Sequence, residues 1–384
     1  MERKPRFVTI FTDTENFHLI KDVGQIPYFM YKAQGYDAEL VTYQNNSDYP
    51  YLKNEVNGLK LTFIPDKGRI SYFEKSVIQF LFKESKSIDV LNLLHFKRDN
   101  FIYLSIYKLL NPRGKSYIKL DIDILFFKNY NSFFFSNYKL KNYLLKILCE
   151  FIFRLTDTLS VESDGALDYL LKVYPELEEK LLCIPNGVDS DYLEKEITLK
   201  TFEEKENIII TVGRIGAFVK NTELLLEALK ITDLKDWKVY IIGPIEESFQ
   251  EYIIKFFNEN PELKSSIIFQ GNIIDRKELF EWYNRAKVFC LTSRWESFGI
   301  VFIEALYFGN HIITSPLSSV AYITDNGKYG TLVKTEAEEF SKAIQKSIEP
   351  EFLTHQRYEE TRSFAKKNFT WPGIIKKLSD KLKS

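Results

Sequence analysis

The chain has 384 residues with 52 Lys+Arg against 53 Asp+Glu, a formal charge of −1, and it is 45% hydrophobic and 27% charged. That balance excludes wholesale disorder and a chain-wide polyanion-binding surface, and at roughly 100–200 residues per domain the length predicts two domains. Four His and three Cys (Cys149, Cys183 and Cys290), none paired at ligand spacing, argue against a Cys/His zinc site and a disulfide framework, and for buried thiols in a reducing compartment.

The N-terminal segment MERKPRFVTIF is basic, but its apolar stretch Phe7–Phe11 is shorter than a signal-peptide core of about 7–15 residues. No apolar run approaches the ~18 residues that span a bilayer, so the expected location is cytoplasmic. Through the first half, RFVTIF (6–11), AELVTY (38–43), LKLTFI (59–64), DVLNLLH (89–95), KSYIKLD (115–121), TLSVES (158–163) and LLCIP (181–185) read as strands. Helical patterns fill most of the gaps, among them 26–35, which ends at Gly35 as a C-terminal cap.

Asp121-Ile122-Asp123 ends the fifth of these strands. Beyond it, Phe126-Phe127 and Phe133-Phe134-Phe135 concentrate part of an aromatic excess (32 Phe, 23 Tyr and 4 Trp, 15% of the chain). They precede a helix with Leu140, Leu144, Leu148, Phe151 and Leu155 on one face and Lys139, Asn142, Lys146 and Glu150 on the other. Two readings stand side by side. In one the helix packs on the first domain's sheet. In the other the segment, above all its Phe-rich loop, lies against the cytoplasmic face of a membrane, with lysines on anionic headgroups.

After Pro185-Asn186-Gly187, the polar stretch 190–207 reads as the linker. The second half then alternates strands with helices: 207–212, 237–242, 265–270, 287–292, 311–314 and 331–333 are short β-branched runs. Continuous apolar strands with helices between them predict a parallel sheet covered on both faces. The expected architecture is α/β, two doubly wound Rossmann-like domains facing each other across a cleft. The domains are 1–190, 191–355, and a C-terminal helix pair at 356–384, broken at Trp371-Pro372-Gly373, that crosses back to the first.

Ligands of open α/β sheets bind where strands end and helices begin. Two such loops in the second half carry concentrated chemistry. In TVGRIGAFVKNTELLLEAL (211–229), Gly213 permits a tight exit from the strand, and Arg214 and Lys220 share a loop whose helix is capped by Asn221 or Thr222. Two cations at a helix mouth suit a diphosphate, although both also fit a solvated loop. In SRWESFGIVFIEALYFG (293–309), Gly299 opens a helix that is apolar on nearly every side, so its N-terminus points into a cleft. Glu296 precedes the first turn. Glu304 sits inside the apolar helix and needs a partner, either ribose hydroxyls or a buried Arg.

This loop pair, the two glutamates separated by seven residues in ESFGIVFIE, and IPNGVD at 184–189 closely resemble family 4 glycosyltransferases of the GT-B fold, retaining enzymes that use nucleotide-activated sugars. The resemblance spans essentially the whole chain and is strongest over 207–316. It implies that Arg214 and Lys220 hold the donor diphosphate, with Gly213 beside them. Glu296 would bind hydroxyls of the transferred sugar, Ser297, Phe298, Gly299 and Ile300 line the donor with backbone groups, and Glu304 takes the ribose. Asn272 and Ile273, in the loop after strand 265–270, would contact the base. It implies catalysis without a metal or other cofactor, a UDP-sugar donor, and a glycan or lipid-linked glycan acceptor in surface polysaccharide or glycoconjugate synthesis. No nucleic acid partner is expected.

For the first domain the resemblance points to Gly24 as a donor-side backbone contact, and to Asp121 or His95 as the group that orients the acceptor. His95 also reads as a satisfied core residue. The chain has Lys119-Leu120-Asp121-Ile122-Asp123 where many members carry a histidine, and Asp-x-Asp is also the metal-binding signature of the GT-A fold. Two further alternatives are a non-catalytic family member that binds a nucleotide or glycan, and a GT-B-fold nucleotide-sugar epimerase.

Overall fold

The computed structural model describes residues 3–70, 73–95, 97, 99–120, 147 and 150–384. Asp121, Asp123, Cys149 and the Phe-rich stretch 126–135, with the membrane contact expected of it, lie outside the described residues. Of the predicted apolar helix face, Phe151 and Leu155 lie within them. Phe151 is 42% exposed, whereas Ile152 and Phe153 are buried in the core cluster beneath. Leu155 packs against the same cluster, so of the expected face's two described residues one meets the core and the other is partly exposed.

All thirteen predicted strands form, most with ends within a residue or two of those predicted. In spatial order the first sheet runs Lys60–Phe63, Asp37–Thr42, Arg6–Ile10, Val90–Leu94, Lys115–Lys119, Thr158–Val161 and Leu181–Cys183, with every pairing parallel. The second runs Ile267–Gly271, Lys238–Ile242, Glu206–Val212, Ala286–Leu291, His311–Thr314 and Gly330–Leu332, also parallel throughout. Counting each sheet's strands in chain order, both read 3-2-1-4-5-6. The first continues to a seventh strand. This is the doubly wound arrangement of a Rossmann-like domain, and the GT-B expectation of two such domains holds.

The strands are buried because helices cover both faces. Two apolar clusters flank the first sheet, one of them completed by Trp371, Ile374, Ile375, Leu378 and Leu382. Two more flank the second. The chain divides into a unit of residues 1–186 and 371–384, and a unit of residues 187–370. The stretch predicted as a polar linker is partly helical. Asp189 accepts a hydrogen bond from the Tyr192 amide (3.1 Å) and so caps the helix Ser190–Glu196, while Leu193 and Ile197 enter the second core. Helix His355–Asn368 stays with the second unit. Helix Trp371–Lys383 lies in the first, where Trp371 stacks on Phe29 with ring centroids 6.4 Å apart. Among the described residues no helix is long and apolar enough to cross a membrane.

Candidate active site at the second sheet's switch point

In a doubly wound sheet the strand order reverses between the first and fourth strands, which leaves a crevice at their carboxyl ends. In the second unit those strands are Glu206–Val212 and Ala286–Leu291, and the loops leaving them are the two singled out by sequence. Hydrogen bonds hold the loops together. The Arg294 amide donates to Val219 O (2.8 Å), and the Thr292 hydroxyl donates to Asn221 O (2.9 Å).

The meeting of these loops brings Lys220 Nζ to 2.5 Å from Glu296 Oε1, with both side chains less than a fifth exposed. Ser293 Oγ donates to the same oxygen (2.6 Å). Gly213 is part of this arrangement because a Cβ there would stand 3.3 Å from Lys220 Cε, so its absence gives the lysine stem room. Its carbonyl lies against Gly243 (φ 139°), where a Cβ would come within 1.8 Å of Gly213 O. Only glycine at 243 permits this backbone approach. Arg214 is not part of the pair. Its side chain is 65% exposed and stands 3.9 Å from Glu246 Oε1. Asn221 begins the following helix in a left-handed conformation (φ 52°) without a side-chain cap, and Thr222 Oγ1 instead accepts from the Gly216 amide (3.1 Å).

Gly299 has φ 85° and opens the helix Ile300–Tyr307; a Cβ would strike the Phe302 ring at 2.6 Å. The first-turn amides of Ile300 and its neighbours are therefore presented by a backbone that glycine alone adopts without strain. Ser297 and Ile300 are half-buried on this turn. Phe298 is buried in the core, its ring edge-on to Phe369, so only its backbone is free to meet a ligand.

Glu304 is buried and has protein partners. Tyr283 OH donates to Oε2 (3.2 Å), and Arg276 Nη2 stands 3.8 Å from Oε1. Burial pushes its carboxyl up, opposed by Arg276 and by the Tyr283 hydrogen bond. Of the partners weighed from sequence, the buried arginine is present, and at 3.8 Å it makes an ion pair with Oε1 without a direct hydrogen bond. Asn272 and Ile273 lie in the loop after Ile267–Gly271. Asn272 is exposed, and Ile273 packs partly against the second core.

The predicted groups of the first unit fall differently. His95 follows the fourth strand of its sheet with φ 63°, held there because its amide donates to Lys119 O (2.8 Å) and its carbonyl accepts from Asn100 Nδ2 (2.8 Å). A non-glycine residue in this conformation at a switch point is a strained position of the kind that gathers at functional sites. Gly24 lies inside the helix Asp22–Gln34, which starts four residues earlier than predicted. A Cβ there would meet Leu19 O at 2.3 Å, so close packing on Leu19 explains this glycine.

Sequence reasoning missed Ser293, Arg276, Tyr283, Glu246 and the exposed rim pair in which Arg294 covers the Phe218 ring at 4.7 Å. Ser293 was within reach as the hydroxyl three residues before Glu296. Arg276 and Tyr283, seven apart on one helix face, become neighbours of Glu304 only through tertiary packing.

Residues 194–367 match the family described as "Glycosyl transferases group 1". The chain is 28% identical over 212 residues (54% of it, 48% of the relative) to a "Probable sucrose-phosphate synthase" of Thermosipho melanesiensis. It is 28% identical over 172 residues (39% of it, 47% of the relative) to an "Amylovoran biosynthesis glycosyltransferase" of Erwinia amylovora. The chain thus spans about half the length of these curated relatives. In fold it is similar to an Anabaena protein, HepE, solved in complex with UDP and glucose, with a TM-score of 0.69, 15% identity, and 99% of each chain covered.

Proposed function

From a chain whose residues 194–367 match the group 1 glycosyl transferases and whose two units are doubly wound, we propose a retaining, family 4 glycosyltransferase of the GT-B fold that moves a sugar from a UDP-sugar to a glycan or lipid-linked glycan acceptor. The observation that carries the reading is the Lys220–Glu296 pair (2.5 Å), set at the switch point beside a glycine-opened helix N-terminus. A lysine, a nearby arginine and a helix dipole suit a diphosphate, and a carboxylate that already accepts from a lysine and a serine suits sugar hydroxyls.

In the proposed reaction the bond between the sugar's anomeric carbon and the diphosphate oxygen breaks, and negative charge grows on the leaving nucleoside diphosphate. Lys220, Arg214 and the amides that follow Gly299 stabilise that charge. The acceptor oxygen attacks from the same face, and its proton passes to the departing phosphate oxygen, so configuration is retained. Glu296 holds the sugar and forms no covalent intermediate. No metal ion is required by this scheme, and transfer is expected to survive EDTA.

The neighbour with bound UDP and glucose supports the choice of donor, and the relative named for amylovoran biosynthesis supports a biosynthetic role; the surface-polysaccharide acceptor is part of the proposal. Cytoplasmic location, with peripheral membrane contact through Phe126, Phe127 and Phe133–Phe135, belongs to the same reading. Co-sedimentation with anionic vesicles unchanged by Phe133–Phe135→Ser removes that contact. The central test is a screen of nucleotide sugars by thermal shift and by slow donor hydrolysis. A UDP-sugar should stabilise the protein and be hydrolysed, with loss of hydrolysis in Glu296→Ala and Lys220→Ala. Absence of any nucleotide-sugar response, or hydrolysis indifferent to both substitutions, refutes the proposal. Product anomeric configuration read by NMR decides retention.

A further inference from the structure

Glu304 occupies a helix with no other charged residue, and a carboxylate there is tolerated only if protein groups hold it. Both of its partners come from one helix, Arg276–Arg285, and they treat its two oxygens differently. Oε2 receives a true hydrogen bond from Tyr283 (3.2 Å), whereas Oε1 has the Arg276 guanidinium at 3.8 Å, beyond hydrogen-bond range but close enough for strong attraction in a buried setting. Arg276 is itself steadied over the Phe280 ring, 4.7 Å from its centroid. Arg276, Phe280 and Tyr283 are spaced four and three residues apart and share one helix face. The same helix begins where the loop Asn272–Ile274 ends, and Asp275 caps it by accepting from the Lys277 amide (2.9 Å).

We propose that Arg276 is a positioning residue for nucleotide recognition: it keeps Glu304 ionised and its Oε1 available, so that this oxygen accepts from the ribose hydroxyls of a nucleoside diphosphate. The inference rests on the ribose reading of Glu304 and adds to it the group that makes a fully buried carboxylate usable. Burial pushes the Glu304 carboxyl up and Arg276 is the larger of the two opposing influences. Without the guanidinium the carboxylate takes up a proton more readily, and a neutral acid is a poorer acceptor for a hydroxyl.

The test compares binding of UDP and 2′-deoxy-UDP by calorimetry, each variant first shown to melt cooperatively. Wild type should prefer UDP by about tenfold, as expected for a hydrogen bond to a charged group. Arg276→Met and Arg276→Gln should each reduce that preference to about twofold or less. Two uncharged replacements of different packing keep the outcome independent of a folding failure in one. Arg276→Lys should keep most of the preference. A purely structural role predicts weaker melting with the tenfold preference intact, and that result in a folded variant overturns the inference while leaving the ribose reading standing. No preference in wild type, or a preference that survives Glu304→Gln, overturns the ribose reading and the inference together.

Discussion

The two sheets share one strand order, yet their switch points are built in contrasting ways. At the second sheet's edge the charges lie in two continuous stretches, and part of them faces outward: Arg214 is 65% exposed at its side chain, and the neighbouring Phe218 and Trp295 are 78% and 46% exposed. At the first sheet's edge the charges face one another. Lys119 has no exposed side-chain surface and donates to Ile184 O (3.2 Å) and Asn186 Oδ1 (3.0 Å), with Glu162 at 3.1 Å and Asp22 at 4.0 Å. Its ammonium is held above the usual lysine range by Glu162 and Asp22, against the opposing effect of burial. The same topology thus serves an edge whose charges reach the surface in part, with Arg214 exposed beside the Lys220–Glu296 pair, and an edge whose charges are spent on holding the chain at Ile184–Asn186.

The sharpest way to break this comparison is to remove one lysine from each edge. Lys119→Met removes the buried cation that Glu162 and Asp22 share, leaving the Glu162 charge with the neutral Asn186 amide (2.8 Å), and should destabilise the protein by about 3–5 kcal/mol, measured by urea denaturation. Lys220→Met should cost much less stability, because its stem already packs against Gly213 and its partner Glu296 retains Ser293. Its loss should instead appear in turnover, as roughly a 10²–10³-fold fall in kcat, the range for removing one preorganised group that stabilises developing charge. If Lys119→Met melts like wild type, or if the two substitutions have the same stability cost, the contrast between the edges fails.

The difference between the edges also explains what was legible beforehand. The second edge could be read because its local demands mark the chain: a glutamate in an otherwise apolar helix, a glycine at a helix start, two cations in one loop. Strand positions in both units followed from apolar runs that burial on two faces requires. At the first edge Lys119, Glu162, Asn186 and Asp22 come from four separate segments, none of which announces the others, and only the fold of the parallel sheet brings them together. Gly24 is ambiguous for a related reason, since a glycine that packs on Leu19 looks the same in sequence as one needed by a ligand. The helix Ser190–Glu196 reads as linker because its short polar sequence has only Leu193 fully buried, with Tyr192 packing in part.

A smaller effect tests whether the second edge depends on backbone shape as well as charge. Gly299→Ala forces a side chain into φ 85° and against Phe302, and should cost about 1–3 kcal/mol. The strain falls on the turn whose amides face the proposed diphosphate, so UDP affinity should fall along with the melting temperature. A variant that loses stability but binds UDP as wild type separates the glycine from the ligand.

The smallest expected effect lies at the opposite, amino-terminal edge of the second sheet. His311 begins its strand there, fully buried, with Nε2 2.8 Å from Thr331 Oγ1. Burial, aided by the nearby Arg357, holds its pKa down to about 3 from an ordinary 6.5. The folded protein therefore keeps His311 neutral, while the unfolded chain takes up a proton as pH falls below about 6.5. Below that value the unfolded state gains relative to the folded one, and the stability contributed by the neutral ring is lost progressively towards pH 3. Between pH 7.5 and 5.5 wild type should lose about 1.4 kcal/mol more than His311→Gln in denaturation experiments. UDP affinity should not separate the two proteins over the same range, because His311 stands at the end of its strand away from the ligand loops. Equal pH slopes in wild type and variant disprove the buried neutral histidine, and a UDP affinity that follows His311 joins two edges that the topology keeps apart.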